Sequence, residues 1–399
     1  MSKKKPKKKV VDVLGRMPKK TEGQLNVYYH VAENSGVGFY RQYLPAKVLR
    51  DLDIQNATIS DFRFGKGDHA SMDMDTLFEV AMWADLIVVG RHDKGDYYAQ
   101  WGGIREFFNM PIVMDTDDNV QHVRPSNPGY TGYHPGSEAL MWNKHAVGKV
   151  FDAITVSTEN LIEVYKEDNP KIYHLPNNID VKEWEKHPIK KFDDGKIRVG
   201  FIGSSAHTEG IKIVKPPLKR ILEEHSNVIL FMTHVYRSHF EDWPKELKDR
   251  IEWIPWLELE TWPKELRALG LDISLAPLAD NMFNRGKSNL RWMEYSACKW
   301  ATVASDVEPY RCINNGKDGI LVKERNEWYE AIDSLVKDEK LRYNIGENAF
   351  ERISKDFDIR NNCKKWDAVY KEIHKKYHDF FGKKKVFKKV KKGKYKQLA

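Results

Sequence analysis

The sequence predicts an α/β protein made of two doubly wound, parallel-sheet domains that face each other across a cleft. Short runs rich in Val, Ile and Tyr recur along the chain with helical stretches between them. Strands alternating with helices on this spacing pair in parallel through right-handed crossovers. The runs form two series, parted by a polar segment at 180–196 that contains Pro188 and the turn Asp193-Asp194-Gly195. The 399 residues suffice for two ordinary domains, each with its own core.

The first series is expected at 26–32, 57–62, 85–91, 111–117, 153–158 and 171–176. The second is expected at 197–203, 228–234, 251–256, 272–278, 301–305 and 319–322, with helices such as 211–224 and 257–269 between them. The domain plan is a basic disordered tail (1–20), a first Rossmann-like domain (21–185), a second (186–358), a helix crossing back to the first domain (359–380), and a lysine-rich tail (381–399).

Charge is distributed unevenly. Residues 1–10 hold six lysines and residues 382–399 hold nine, with no acidic residue in either. The whole chain carries +8, so the body between these tails is acidic, at −7. Lysine blocks of this kind are expected to be unstructured arms that attract a polyanion, DNA first and an anionic membrane surface second. No apolar run approaches the roughly 20 residues of a membrane span. The basic N-terminus has no apolar stretch behind it, and the three cysteines, Cys298, Cys312 and Cys363, lack CxxC spacing. A cytoplasmic protein without disulfides or zinc is the expectation.

The chemistry-bearing motifs sit at the ends of the expected strands, where ligands bind in α/β sheets. Gly36-Val37-Gly38, followed by Arg41, opens a helix after the first strand, and glycines there let backbone approach a ligand. Asp115-Thr116-Asp117-Asp118 crowds three carboxylates at one strand end, which is costly unless they have partners or work. A DxD motif holding a divalent metal is the alternative reading of that run, but no metal is assigned. Gly203-Ser204-Ser205 follows the first strand of the second series, and its hydroxyls can donate to phosphate oxygens. The run GSSAHTEG lacks the GxGxxG spacing of a dinucleotide site, which argues against such a cofactor.

The most informative stretch is 272–306, DISLAPLADNMFNRGKSNLRWMEYSACKWATVASD. A strand and a proline turn lead to a polar loop with Asn284, Lys287 and Ser288, then to a helix carrying Glu294. Backbone N–H groups at 287–290 and the Lys287 cation make a place for a phosphate, and Glu294 can accept hydrogen bonds from sugar or ribose hydroxyls.

Together with VST at 156–158 and LPNNID at 175–180, this stretch resembles the retaining family 4 of the GT-B glycosyltransferases (glycosyl transferases group 1). The form FNRGKSNLRWMEY resembles a sub-branch of bacteriophage type. The resemblance spans about 26–357 and implies a GT-B fold. It also implies a nucleotide-diphosphate sugar, UDP-sugar above others, as donor, with no further cofactor and retention at the anomeric carbon. Family members carry two glutamates eight positions apart. Glu294 fits the second, while Gly286 stands where the first belongs, which leaves Asp280 or Asn281 to face the sugar. Asp117 stands where relatives place a histidine.

The resemblance thus gives donor-binding roles to Gly36, Gly38, Gly203, Ser204, Ser205, Asn284, Lys287, Ser288 and Glu294. Catalytic roles fall to Asp115, Asp117, Lys287 and Glu294, and acceptor contacts to Arg41 and Asp118. The expected acceptor is hydroxymethylated DNA, as in viral DNA modification. A lipid-linked or wall-polymer acceptor at a membrane surface is the alternative. An inactive scaffold that binds nucleic acid is the reading from another class.

Overall fold

Twelve short apolar runs build two sheets. In the computed structural model, which describes residues 17–60, 74–391 and 394–398, the first sheet contains β1 (Asn26–His30), β2 (Asn56–Ile59), β3 (Leu86–Gly90), β4 (Ile112–Thr116), β5 (Ala153–Val156) and β6 (Ile172–His174). The second contains β7 (Ile197–Phe201), β8 (Val228–Thr233), β9 (Ile251–Ile254), β10 (Ile273–Ala276), β11 (Ala301–Ser305) and β12 (Ile320–Val322). The strand orders are β2-β1-β3-β4-β5-β6 and β12-β11-β10-β7-β8-β9, with every pairing parallel. Each order reverses once, between β1 and β3 and between β7 and β10, and such switch points open crevices at the strands' carboxyl ends.

The strands read as continuous apolar runs because helices cover both faces. In β1, Val27 and Tyr29 join a core with Leu44, Val48 and Leu49, while Tyr28 turns to the other face with Leu77, Val80 and Trp101. The first of these cores continues into the second domain through Trp184, Ile202, Leu266 and Trp292, so apolar packing crosses the seam.

The last long helix, Ile359–Phe381, returns to the first domain. Tyr370 meets Tyr29 edge-on at 5.9 Å, and Arg360 grips Asp180 with two hydrogen bonds of 2.9 Å. The C-terminal part of the chain forms three successive helices, Arg325–Lys337, Glu339–Asp356 and Ile359–Phe381. Asp338 and Asp358 cap the second and third. Helix 257–269 is shorter than expected, Trp262–Leu269, with Pro263 in its first turn.

The C-terminal lysine run corrects the charge-based expectation. It is an antiparallel hairpin, β13 (Val386–Lys391) and β14 (Lys394–Leu398), and not an unstructured arm. Alternation decides this: Phe387 stacks on Phe107 at 4.6 Å, and Tyr395 sits 4.7 Å from Phe78 and donates to Asp75. Lys384, at the hairpin's root, donates to the carbonyls of Met82 and Ala84, and burial lowers its pKa to about 8. Asn109, in the left-handed region at φ 50°, ends the helix Gly95–Phe108 and donates to the carbonyls of residues 381–383. The N-terminal lysines and the end of the strand expected at 57–62 lie outside the described residues. Among the described residues no helix is long and apolar enough to cross a membrane.

Candidate functional site

On the first-domain wall, the loop after β1 turns at Ser35, whose hydroxyl accepts from the Val37 N–H. A side chain at Gly38 would collide with the Glu33 carbonyl and with Val31, so this glycine is required by packing. Gly36 has nothing within 4 Å of where a side chain would start and leaves its side of the loop open. Beyond the loop, Arg41 is fully buried. Its Nε and Nη2 each donate to Asp115 at 2.8 Å, and its Nη1 donates to the Leu175 carbonyl and to Asn177. Asp115 also accepts from Thr155 at 2.6 Å and Gln42 at 3.2 Å. Arg41 as an acceptor contact and Asp115 as a catalytic group are therefore corrected: each satisfies the other inside the fold. The DxD pair is not a pair open to the cleft.

The next two carboxylates differ. Asp117 buries an Oδ1 that has no hydrogen-bond partner, and burial, with Asp118 beside it, raises its pKa to about 7. Asp118 faces Lys287 of the second domain at 3.6 Å and Arg91 at 3.9 Å. Arg91, which the sequence reading missed, also contacts Tyr133 and Glu33, and its buried Nε is unpartnered. Glu33, Arg91, Asp118 and Tyr133, with Phe283 from the opposite wall, line a cavity of about 250 Å³.

On the second-domain wall the Gly203-Ser204 turn is held by Thr233, whose hydroxyl accepts from the Gly203 N–H, and by Tyr236, which donates to the Ser204 carbonyl. A side chain at Gly203 would start 2.8 Å from Arg291, so the glycine makes room for that guanidinium. Arg291 lies over the Phe201 ring at 5.1 Å and makes no hydrogen bond or ion pair among the described residues. His207 is kept neutral, its pKa well below the usual value, by burial first and then by Arg291 and Lys287. Ser205, two residues before His207, is exposed. Sequence offered one clue to Arg291: it precedes Glu294 by three positions, which puts both on one helix face.

The loop before that helix is braced against itself and the other domain. Asn281 accepts from the Asn284 N–H and Asn284 donates to the Ala279 carbonyl, so both asparagines build the turn. Asp280 is tied to Arg285 at the surface. Asn284, expected to bind the donor, and Asp280 and Asn281, expected to face the sugar, thus all make contacts within the loop itself. The Lys287 N–H, expected free for a phosphate, donates to the Asn284 carbonyl. Across the seam Asn119 donates to the Met282 carbonyl, Thr158 to the Gly286 carbonyl and Asn177 to Ser288. Gly286 explains itself here: a side chain would start 2.9 Å from the Asn119 Cβ and 3.1 Å from Leu161. A glutamate does not fit.

Glu294 is buried at the same seam. Its Oε1 accepts from Tyr40 of the first domain at 2.6 Å and from Trp262 at 2.9 Å. Burial outweighs both hydrogen bonds and raises its pKa to about 7. Neither Tyr40 nor Trp262 was singled out by sequence, because nothing local marks partners 254 and 32 residues away.

The comparisons agree with this architecture. Residues 182–352 match the family model for glycosyl transferases group 1. No curated protein matches the sequence. Among solved structures, the sucrose-phosphate synthase of Thermosynechococcus elongatus is similar at 13% identity and TM-score 0.61, covering 88% of this chain and 100% of that one. Anabaena HepE, solved in complex with UDP, is similar at 12% identity and TM-score 0.60, with the same coverage. S. aureus TarM shares 16% identity at TM-score 0.56 over 71% of this chain, which spans only about half, 54%, of TarM. Two parallel-sheet domains meeting at their strands' carboxyl ends, the second carrying the glycosyl transferases group 1 domain, make this chain a glycosyltransferase of the GT-B fold.

Proposed function

We propose that the protein transfers a hexose from a UDP-sugar, with retention, to a hydroxyl group of an acceptor held on the first domain. The observation that carries this reading is the pair of cations, Lys287 and Arg291, beside the Gly203–Ser205 turn. A sugar diphosphate places two negative charges where these cations and the serine hydroxyls converge. As the anomeric C–O bond breaks, the charge that builds on the departing phosphate is stabilised there electrostatically. The acceptor oxygen forms the new bond on the same face, and its proton passes to an oxygen of the leaving phosphate. Glu294 keeps Oε2 for the ribose hydroxyls while Tyr40 and Trp262 fix Oε1. Asp117, with a buried and unpartnered oxygen, orients the sugar or the incoming hydroxyl. HepE has been solved with UDP-glucose, which supports the same donor here.

The cytoplasm, where such donors are made, is the proposed place of action. For the acceptor, hydroxymethylated DNA drawn by the lysines would need its base extruded into the cleft. An acceptor at an anionic membrane surface needs no extrusion, and apolar side chains among the exposed lysines of the hairpin favour it.

The test is titration calorimetry with UDP and UDP-glucose, followed by mass spectrometry of products on both acceptor types. Arg291→Ala and Lys287→Ala are expected to weaken UDP binding by at least about tenfold, the loss of a charge-assisted hydrogen bond. Unchanged UDP affinity in both variants sinks the donor-site assignment.

A further inference from the structure

Beyond the transfer reaction, we propose that the outward face of the C-terminal hairpin docks the enzyme on an anionic membrane surface. The two faces of this hairpin are chemically different. Phe387 and Tyr395 point inward onto Phe78, Phe107 and Phe108 and secure it to the first domain. By the two-residue period of a strand, Val386 and Lys388 point the other way, and the exposed Val390 sits at the bulge between Lys389 and Lys391. Register places Leu398 directly opposite Val386 and Lys396 directly opposite Lys388. Val386 is 56% exposed, Val390 65% and Leu398 43%, and both lysines are exposed. The hairpin's root adds exposed Lys383 and Lys385, and the last turn of the helix that feeds it carries Phe380, 80% exposed.

Two physical arguments turn this face toward lipid. Like charges directly opposite on neighbouring strands repel, so the Lys388–Lys396 pair weakens the hairpin unless an anion lies over it. Anionic headgroups meet that need, and aliphatic side chains between the lysines gain by entering the headgroup boundary. Duplex DNA would use the lysines but leave Val386, Val390 and Leu398 with nothing to bury. The aromatic rings that would stack on a single strand are turned inward.

Position fits as well. Lys384 touches the end of the helix Met74–Trp83, and Tyr395 reaches its beginning at Asp75 and Phe78. The hairpin therefore runs lengthwise along the flank of the first domain, toward the side where the strands' carboxyl ends open into the cleft. A membrane held there lies beside the cleft.

The full chain would be mixed with vesicles of phosphatidylcholine alone and with phosphatidylcholine containing phosphatidylglycerol, and sedimented at two salt concentrations. Binding is expected only to the anionic vesicles and is expected to fall with salt. Lys388→Glu with Lys396→Glu should lower partitioning at least about tenfold, given the per-charge attraction to such surfaces. Val386→Ser with Val390→Ser should lower it several-fold while leaving the salt dependence in place. Both double variants should retain UDP affinity, so a failed docking surface is distinguishable from a failed donor site. No binding to anionic vesicles, or binding that neither pair weakens, overturns the proposal. So does lysine-dependent binding to duplex DNA by a chain that ignores vesicles, which would move the hairpin to the nucleic-acid reading.

Discussion

Arg41 and Arg291 come from opposite walls of the cleft and show two uses of a guanidinium. All three nitrogens of Arg41 are spent on the protein: on Asp115, the Leu175 carbonyl and Asn177. Arg291 donates to none of the described residues and rests on the Phe201 ring beside a glycine that makes room for it. Burying a charge is costly, so the first arrangement is paid for by its partners. The second keeps its hydrogen-bonding capacity for a ligand. The distinction between a charge that builds the fold and one that waits for substrate lies in the partner list and not in residue type.

The sharpest way to break this comparison is to remove one partner from each side. Asp115→Ala leaves Arg41 buried without its counter-ion and is expected to cost about 3–5 kcal/mol of stability, measured by urea unfolding. Arg291→Ala, by contrast, should leave the urea midpoint nearly unchanged while lowering UDP affinity. If both variants lost stability equally, the contrast would collapse.

Gly286→Glu asks whether the seam tolerates the glutamate that relatives carry. With Asn119 and Leu161 already in contact range, the variant should lose about 1–3 kcal/mol by overpacking and gain no turnover. A gain in activity with stability intact would show that the glycine is not a packing requirement.

Glu294 gives a pH signature with two opposite signs. Its pKa rises from 4.5 unfolded to about 7 folded, so the folded state holds the proton more tightly. The stability this contributes is full below pH 4.5 and is lost as pH rises through about 7. Donor affinity should run the other way, since an ionised carboxylate accepts ribose hydroxyls better. UDP binding is expected to weaken as pH falls below about 7, and in Glu294→Gln that pH step should vanish. Tyr40→Phe is the smallest change, about 0.5–1.5 kcal/mol from one lost hydrogen bond, read as a modest rise in KM for the donor.

The strands were legible because a strand buried on both faces has to be a continuous apolar run, and runs such as VYY at 27–29 and LIVVG at 86–90 announce themselves. Lys287 and Glu294 could be singled out because they share one loop and helix at the second-domain strand ends. Arg41 and Asp115 were misread because their pairing joins residues 74 positions apart, and a free and a satisfied charge are spelled alike. Arg291 stayed hidden for the same reason in reverse. At the C-terminus, counting lysines concealed the alternation around Phe387 and Tyr395 that folds the hairpin.

The return of the helix Ile359–Phe381 to the first domain also bears on the order in which the protein can be assembled. Trp366, Tyr370 and Ile373 belong to the same core as Tyr29, Leu44 and Val48. They leave the ribosome only after every strand of the second domain has been made. The domain that begins the chain is therefore the one that finishes last, and the later domain has all its strands before the earlier one can close. A chain interrupted before Ile359 would display the apolar side of the helix Leu44–Asp51 to quality control, however well its second half had folded.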